Sequence, residues 1–168
     1  LSGERMLAGA LSEYKLDALK SILEGTSERV VVFYNFKAEC DLVSDLCELM
    51  KRPHCEINGY SHDLTRFERD GCVCIVQYQA GAMGLNLQKA RYTVYFSPPL
   101  SSSLFEQSKK RTHRVGQTQA CTYYKLLTVG SVEFDIYKNL DMRRDYTDAL
   151  FEKWGYAFGR RKELREQN

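Results

Sequence analysis

Short, continuous runs of apolar residues alternate along the chain with segments in which apolar residues recur every three or four positions. The runs are rich in β-branched residues, which is typical of strands buried on both faces of a parallel sheet. The predicted strands are 30–34, 55–57, 72–76, 92–96 and 121–127. Helices are predicted over 16–23, 42–50, 62–70 and 102–114, and a long C-terminal helix is predicted from Val132. This alternation predicts an α/β fold with a mostly parallel central sheet.

Composition and charge narrow the choice of function only slightly. The chain has 168 residues, of which 43% are hydrophobic and 27% charged, as in ordinary soluble globular domains. Its net charge is only +2, so any contact with nucleic acid depends on local basic patches. No apolar stretch approaches the ~20 residues that a membrane helix needs. The six cysteines include no Cys-x-x-Cys pair, and the three histidines lack ligand spacing, so we expect reduced thiols and no metal site.

A basic run at the end of the helix predicted over 102–114 is the most unusual polar segment. Gln107, Arg111 and Arg114 are four and three residues apart, so they share one helix face. Two lysines and a histidine lie among them, and no acidic residue does. An arginine guanidinium matches phosphate oxygens bidentately, so the run predicts a phosphate-binding surface. A solvated basic face is the common alternative for such a run.

A glycine-containing run, 79–87, follows the predicted strand 72–76. Small residues at a strand-to-helix turn let the backbone approach a ligand closely, although many tight turns carry two glycines without binding anything. Ligands of parallel sheets bind beyond the carboxyl ends of the strands. We expect this turn and the helix after Phe96 to meet at that edge.

Together the two runs resemble motifs V and VI of superfamily-two helicases, in the Swi/Snf-type branch. That branch has Gly-Leu-Asn-Leu, followed about twenty residues later by Gln-x-x-x-Arg-x-x-Arg-x-Gly-Gln. Residues 84–87 match the first pattern, and 107–117 match all five fixed positions of the second. Residues 32–36 resemble motif IV, and 131–136 resemble the helix that follows the last strand. The resemblance covers about 13–140 and implies a three-layer RecA-like domain whose central sheet is flanked by helices.

The resemblance also implies roles in ATP hydrolysis. Arg114 stands where the family has its arginine finger, which stabilises the transferring γ-phosphate, and Arg111 would share that work. Gln107, Gly84 and Asn86 would lie against the nucleotide. In this chain a lysine precedes Arg111 where the family usually has an aspartate.

Another group of residues is implied to contact nucleic acid. Phe36 lies in the motif IV turn, and four more residues lie at the turn after the strand 72–76. These four are Gln77, Tyr78, Gln79 and Gly81. The family usually has serine or threonine at the first two of these positions, so both side chains are bulkier here.

The chain contains no Gly-x-x-x-x-Gly-Lys-Ser/Thr loop and no Asp-Glu pair placed to hold magnesium. In the family these parts belong to the N-terminal RecA-like lobe, which holds ATP with Mg²⁺. The resemblance therefore implies that 1–140 is the C-terminal helicase lobe and 141–168 a C-terminal helical extension that braces or docks. The implied partners are the N-terminal lobe of the same protein and double-stranded DNA, with no membrane. The chain alone is expected to be monomeric and unable to hydrolyse ATP.

Two other functions fit parts of the sequence. One is a non-enzymatic nucleic-acid-binding module with a degenerate RecA-like fold, which uses the cations of 107–119 only for phosphate. The other is an unrelated α/β nucleotide-binding domain, which ranks last because 81–84 lacks a Gly-x-Gly-x-x-Gly fingerprint. The short connection 59–72 resembles compact bacterial or phage members of the family, so a cytoplasmic protein of that type is favoured, and a nuclear one if the source is eukaryotic.

Overall fold

The computed structural model describes residues 2–62, 64–81, 85–113 and 117–150, with side chains from residue 13 onward. The strands are β1 (Val30–Tyr34), β2 (His54–Ile57), β3 (Val73–Gln77), β4 (Tyr92–Tyr95) and β5 (Thr122–Lys125). The helices are α1 (Ser2–Glu24), α2 (Lys37–Leu49), α3 (Tyr78–Gly81), α4 (Ser102–Thr112) and α5 (Val132–Asp141). A further helical segment covers 146–150.

The five strands form one sheet in the order β2-β3-β1-β4-β5, and all four pairings are parallel. The predicted α/β class and the position of every predicted strand are therefore confirmed. Each crossover carries the chain back to the amino-terminal edge, so every strand ends at the same edge of the sheet. Turns that follow β1, β3 and β4 consequently lie side by side.

Helices cover both faces of the sheet and give it three layers. Alternate side chains of the central strand point to opposite faces. Val30 and Val32 join one buried cluster with residues of α1 and α2. Val31 and Phe33 join the other with residues of α3, α4 and α5. This double burial explains why the central strand β1 appears in the sequence as a continuous apolar run, whereas the edge strand β2 alternates.

Two predicted helices are shorter in the structure. The described residues of the segment 62–70 form only a 3₁₀ turn, Thr65–Glu68, whose Phe67 is buried. The C-terminal helix α5 ends at Asp141 because Arg143 has φ 57°, in the left-handed region that breaks a right-handed helix. The prediction of a long helix from Val132 is therefore wrong. The division at residue 140 stays a prediction, and 151–168 lie outside the described residues.

Gly71 lies just before β3 in a conformation that other residues rarely adopt. Its φ is +71°, and an added Cβ would lie 3.1 Å from the carbonyl oxygen of Ser27. A side chain there would be strained both by its backbone and by its neighbour. Among the described helices, none is both long and apolar enough to cross a membrane.

Candidate functional site

Helix α4 carries the basic run. One hydroxyl and one carboxylate accept hydrogen bonds from the amides at its amino end. The Ser101 side chain accepts a hydrogen bond from the amide of Leu104, at 3.5 Å. The Asp145 carboxylate accepts one from the amide of Ser102, at 2.6 Å, and this bond lowers the pKa of that carboxyl. Because both contacts satisfy amides of the first turn, the start of α4 is fixed to the chain after α5.

The basic end of α4 lies at the amino-terminal edge of the sheet. Helix α4 runs antiparallel to β4, with Ser108 Oγ 3.1 Å from Tyr95 Oη and Thr112 Oγ1 3.3 Å from Thr93 Oγ1. Eleven residues of helix extend about 16 Å, which carries the basic end away from the carboxyl edge. The expectation that both motifs meet at the carboxyl edge is therefore wrong for the basic run, and only the start of α4 lies there.

The glycine-containing run instead returns to meet the basic end. The amide of Leu87 donates to the carbonyl oxygen of Arg111, at 3.2 Å. The Gln117 side-chain amide donates to the carbonyl oxygen of Gln88, at 2.7 Å. Asn86 is exposed beside these bonds, and its side-chain oxygen accepts from the amide of Gln88 at 3.3 Å. The described parts of the two predicted motifs thus meet on one surface, although about twenty residues separate the motifs in the chain.

The described residues of this surface are partly exposed. Gln107 donates through its side-chain amide to Ser103 Oγ, at 3.2 Å, one turn back along α4. Arg111 is half-buried beside the buried Thr112. The predicted residues Arg114 and Gly84 lie outside the described residues, so their roles stay predictions.

A separate polar network lies at the carboxyl edge, centred on Glu39 of α2. Its Oε2 atom accepts hydrogen bonds from the amides of Asn35 and Phe36, at 2.9 and 3.1 Å, and from Ser97 Oγ, at 2.9 Å. The Asn35 side chain donates to Ser97 Oγ at 3.0 Å and to the carbonyl oxygen of Pro98 at 2.7 Å. One carboxylate therefore ties the chain after β1 to the chain after β4.

The network presents two of the predicted nucleic-acid residues to solvent. Phe36, at the N-cap of α2, is 69% exposed although it is a large apolar side chain. Gln79 is exposed on α3. Gln77, the last residue of β3, donates through its side-chain amide to the carbonyl oxygen of Asn35, at 3.4 Å. Gly81, the last residue of α3, completes this turn.

Tyr78 behaves differently from its neighbours. Its ring is only 2% exposed and stacks on Phe33 and Tyr95, with centroid distances of 5.3 and 6.3 Å. Its hydroxyl donates to the carbonyl oxygen of Ser97, at 2.8 Å, and burial raises its pKa well above the ordinary value. Because the side chain lies in the core, the predicted contact of Tyr78 with nucleic acid is restricted to its main chain.

Sequence reasoning missed Glu39, Asn35 and Ser97. A signal for the first was present, because a glutamate at the third position of a helix commonly accepts from the N-cap amide. Here the N-cap is a phenylalanine, so only that half of the usual capping pair forms. The link to Ser97 joins residues 58 positions apart, and no local pattern indicates it.

The described residues show no alternative centre of chemistry. Within 2–62, 64–81, 85–113 and 117–150, no three His, Cys, Asp or Glu side chains are grouped to hold a metal ion. The six cysteines are free thiols, and five of them are buried. Burial raises the pKa of Cys40 to about 11 and that of Cys47 to about 12, which makes both poor nucleophiles at neutral pH.

Comparisons with known proteins give consistent matches. A family model described as the helicase conserved C-terminal domain matches residues 14–116. The DNA repair and recombination protein RDH54 of Saccharomyces cerevisiae is 29% identical over 153 residues, which cover 84% of this chain and 17% of RDH54. The chromatin-remodeling ATPase INO80 of Eremothecium gossypii is 26% identical over 141 residues, which cover 79% of this chain and 10% of INO80.

A solved structure matches as well. The C-terminal part of the Fun30 ATPase domain superposes with a TM-score of 0.67 at 26% identity, covering 74% of this chain and 44% of that one. The chain thus spans a minor part of each of these relatives.

Proposed function

Because the chain belongs to the helicase C-terminal domain family, in its Swi/Snf-type branch, we propose that it is the second motor lobe of an ATP-dependent DNA translocase. The predicted α/β, RecA-like fold is confirmed by the parallel sheet and by the Fun30 match. The proposal adds to the family assignment an arginine finger, a nucleotide contact and part of a nucleic-acid track.

The observation that carries the proposal is the pairing of the two motifs at the basic end of α4. The Leu87–Arg111 backbone bond and the Gln117–Gln88 bond hold the chain beside Asn86 against the helix that bears Gln107 and Arg111. A protein that contacts both the ribose and the γ-phosphate of one nucleotide needs its contacting groups close together on one surface. This pairing is expected for a lobe that closes over ATP bound elsewhere.

In this proposal Arg114 supplies the finger and Arg111 the second cation. Arginine matches phosphate oxygens bidentately, and its charge stabilises the negative oxygens of the transition state. Gln107, Gly84 and Asn86 contact the nucleotide. ATP and its Mg²⁺ would be held by an N-terminal RecA-like lobe of the same protein, where the metal would neutralise the charge of the phosphates.

The carboxyl edge supplies the track. Phe36 and Gln79 present side chains there, and Gln77, Gly81 and the main chain of Tyr78 lie between them. Closure of the two lobes around ATP would move this edge along the phosphate backbone, and hydrolysis would release it. Double-stranded DNA is the proposed substrate, because the relative RDH54 is a DNA repair and recombination protein.

The relatives reported above are fungal proteins. The earlier preference for a bacterial or phage-type cytoplasmic protein has no support in these matches. We favour the nuclear alternative, because one of the relatives is described as a chromatin-remodeling ATPase.

The test is DNA-stimulated ATP hydrolysis by this chain joined to its natural upstream residues. The joined form is expected to hydrolyse ATP and the chain alone is not. Arg114→Ala should lower the rate of the joined form by roughly 10³-fold or more while DNA binding persists. Arg69→Ala is the matched control, because Arg69 is exposed and distant in sequence from both motifs.

The non-enzymatic alternative makes the opposite prediction. A joined form that binds DNA but never hydrolyses ATP would favour a binding module. Equal rates for Arg114→Ala and Arg69→Ala would remove the finger from the proposal. Hydrolysis by the chain alone would contradict the division of labour between two lobes.

A further inference from the structure

A pocket of about 430 Å³ lies on a flank of α4 that the family motif does not use. Its lining residues are Glu106, Lys109, Lys110, His113, Cys121 and Tyr123. Three of them are on α4 and His113 is its C-cap. The two lysines are three and four residues after Glu106 and four and three residues before His113, so all four share one face of the helix. The other two belong to the start of β5 and the residue before it.

This face differs from the one that bears Gln107 and Arg111. Successive helix residues are rotated by about 100°, so the pocket face is displaced by roughly a third of a turn from the motif face. The carbonyl of Arg111 receives the Leu87 amide, whereas the pocket opens beside β5. A ligand in the pocket would therefore contact different side chains from the nucleotide proposed above.

One side of the pocket is rigid and nearly neutral. Lys109 Nζ lies 3.0 Å from Glu106 Oε1 and 4.1 Å from the centroid of the Phe105 ring. The Tyr123 hydroxyl donates to the carbonyl oxygen of Lys109 and lies near Thr112 Oγ1, both at 3.4 Å. Glu106 is the only acid in the lining, and Lys109 neutralises it.

The other side carries cationic or donor groups that no carboxylate balances. Lys110 and His113 are both exposed and are three residues apart, so their side chains are neighbours on the helix surface. In the described part of the chain, neither forms an ion pair. The pocket lining consequently has a net positive charge from Lys110, because its one acid, Glu106, is already paired with Lys109.

We propose that this pocket is a second phosphate-binding site, in which Lys110 and His113 hold a phosphate group against the Tyr123 wall. A lysine ammonium binds phosphate as a point charge, and an imidazole N–H adds a directed donor. The volume accommodates a phosphate group with part of the sugar or diphosphate attached to it. The phosphate comes either from a nucleic-acid backbone or from a free nucleotide, and only the first of these sources rests on the function proposed above.

The test uses the 168-residue chain labelled with ¹⁵N and follows the resonances of Lys110, His113 and Tyr123 by NMR. One arm adds inorganic pyrophosphate and the other adds a short DNA duplex. If the chemical shifts of these residues change in both arms, and the change saturates at a lower concentration of DNA than of pyrophosphate, the ligand is a backbone phosphate. Shifts with pyrophosphate alone would identify a free nucleotide as the source. Shifts absent from these residues in both arms would overturn the site.

A variant pair makes the result quantitative. Lys110→Gln should weaken duplex binding severalfold and reduce the slope of log affinity against log salt by about 0.9, the value for one lost phosphate contact on duplex DNA. If a free nucleotide is the source, Lys110→Gln should instead weaken the binding of pyrophosphate. Lys138→Gln is the matched control, because Lys138 is also exposed and forms no described ion pair.

Equal effects of the two variants on both ligands would overturn the proposal, because a general loss of charge would then explain them. Circular dichroism checks that both variants keep the wild-type fold. The binding assay is independent of hydrolysis, so a pocket that binds phosphate in a protein without ATPase activity would leave this inference standing while the proposed function fails.

Discussion

The carboxyl edge of the sheet and the basic end of α4 both carry predicted binding residues, but they hold their polar groups in different ways. At the carboxyl edge one carboxylate, Glu39, accepts hydrogen bonds from two amides and one hydroxyl. At the basic end, the buried hydroxyls of Thr93 and Thr112 and the half-buried hydroxyl of Tyr123 contact the helix on its inner side, while its lysines face outwards. The first region satisfies its charge internally, and the second leaves positive charge for an external anion.

This difference indicates what each region is able to do. A network whose acceptor is already occupied fixes the shape of a surface, and it positions Phe36 without binding a phosphate itself. A cationic surface on a supported helix gains most from a phosphate, because the ion-pairing groups are in place before the ligand arrives. We therefore expect stability to depend on charge at the carboxyl edge and binding to depend on charge at the basic end.

The largest effect on stability is expected at Glu39. Glu39→Ala removes the acceptor of three hydrogen bonds and should lower the free energy of unfolding by about 3 kcal/mol, at roughly 1 kcal/mol for each bond. Urea unfolding measures the change. Asp45→Ala, at an exposed position of the same helix, should change it by less than about 0.5 kcal/mol. Equal losses in the two variants would show that Glu39 acts only as an ordinary helix acid.

A smaller effect is expected from the hydroxyls beneath the basic end. Thr112→Val keeps the shape but leaves the hydroxyl of the fully buried Thr93 without its acceptor, which should cost about 1.5 kcal/mol. The double variant Thr93→Val/Thr112→Val should return to within about 0.5 kcal/mol of the wild type, because the buried pair is then apolar and the Tyr123 hydroxyl keeps its bond to the carbonyl oxygen of Lys109. Additive losses in the double variant would contradict the pairing of these two hydroxyls.

The smallest expected difference between the two regions is in the reactivity of two cysteines, one in each region. Burial raises the pKa of Cys40, in α2, from 9.0 to about 11, so at a given pH it has roughly a hundredfold less thiolate than an ordinary thiol. Cys121, beside the basic end, is only half-buried. Iodoacetamide at pH 8 should therefore modify Cys121 well before Cys40, as peptide mass mapping would measure. Similar rates would show that α2 opens readily.

The raised pKa of Cys40 also predicts a direction for alkaline stability. Above about pH 9 an unfolded chain loses a thiol proton that the folded chain keeps. The free energy of unfolding should consequently fall between about pH 9 and 11. Cys40→Ser should flatten that part of the profile in urea titrations, and an unchanged profile would assign the fall to other groups.

Much of the fold was predictable because it follows from local patterns. The three central strands, β1, β3 and β4, are short and almost entirely buried, so each appears in the sequence as a short run of mostly apolar residues. The family motifs were also recognisable because they depend on residue identity at fixed spacing. The helix predicted over 62–70 failed because, among its described residues, Phe67 alone is fully buried and Leu64 only partly, which leaves too little burial to stabilise several turns.

The amino-acid sequence by itself determined the class of fold, the order of its elements and the family, because periodicity and motif spacing are properties of the chain. Only the tertiary structure decided that the basic run and the run at 85–88 meet away from the carboxyl edge, since α4 returns antiparallel to β4. It also decided that Tyr78 is buried while Phe36, at the end of the neighbouring strand, is exposed. Both outcomes depend on what packs against each residue across the sheet, and contacts between distant segments leave no local signal.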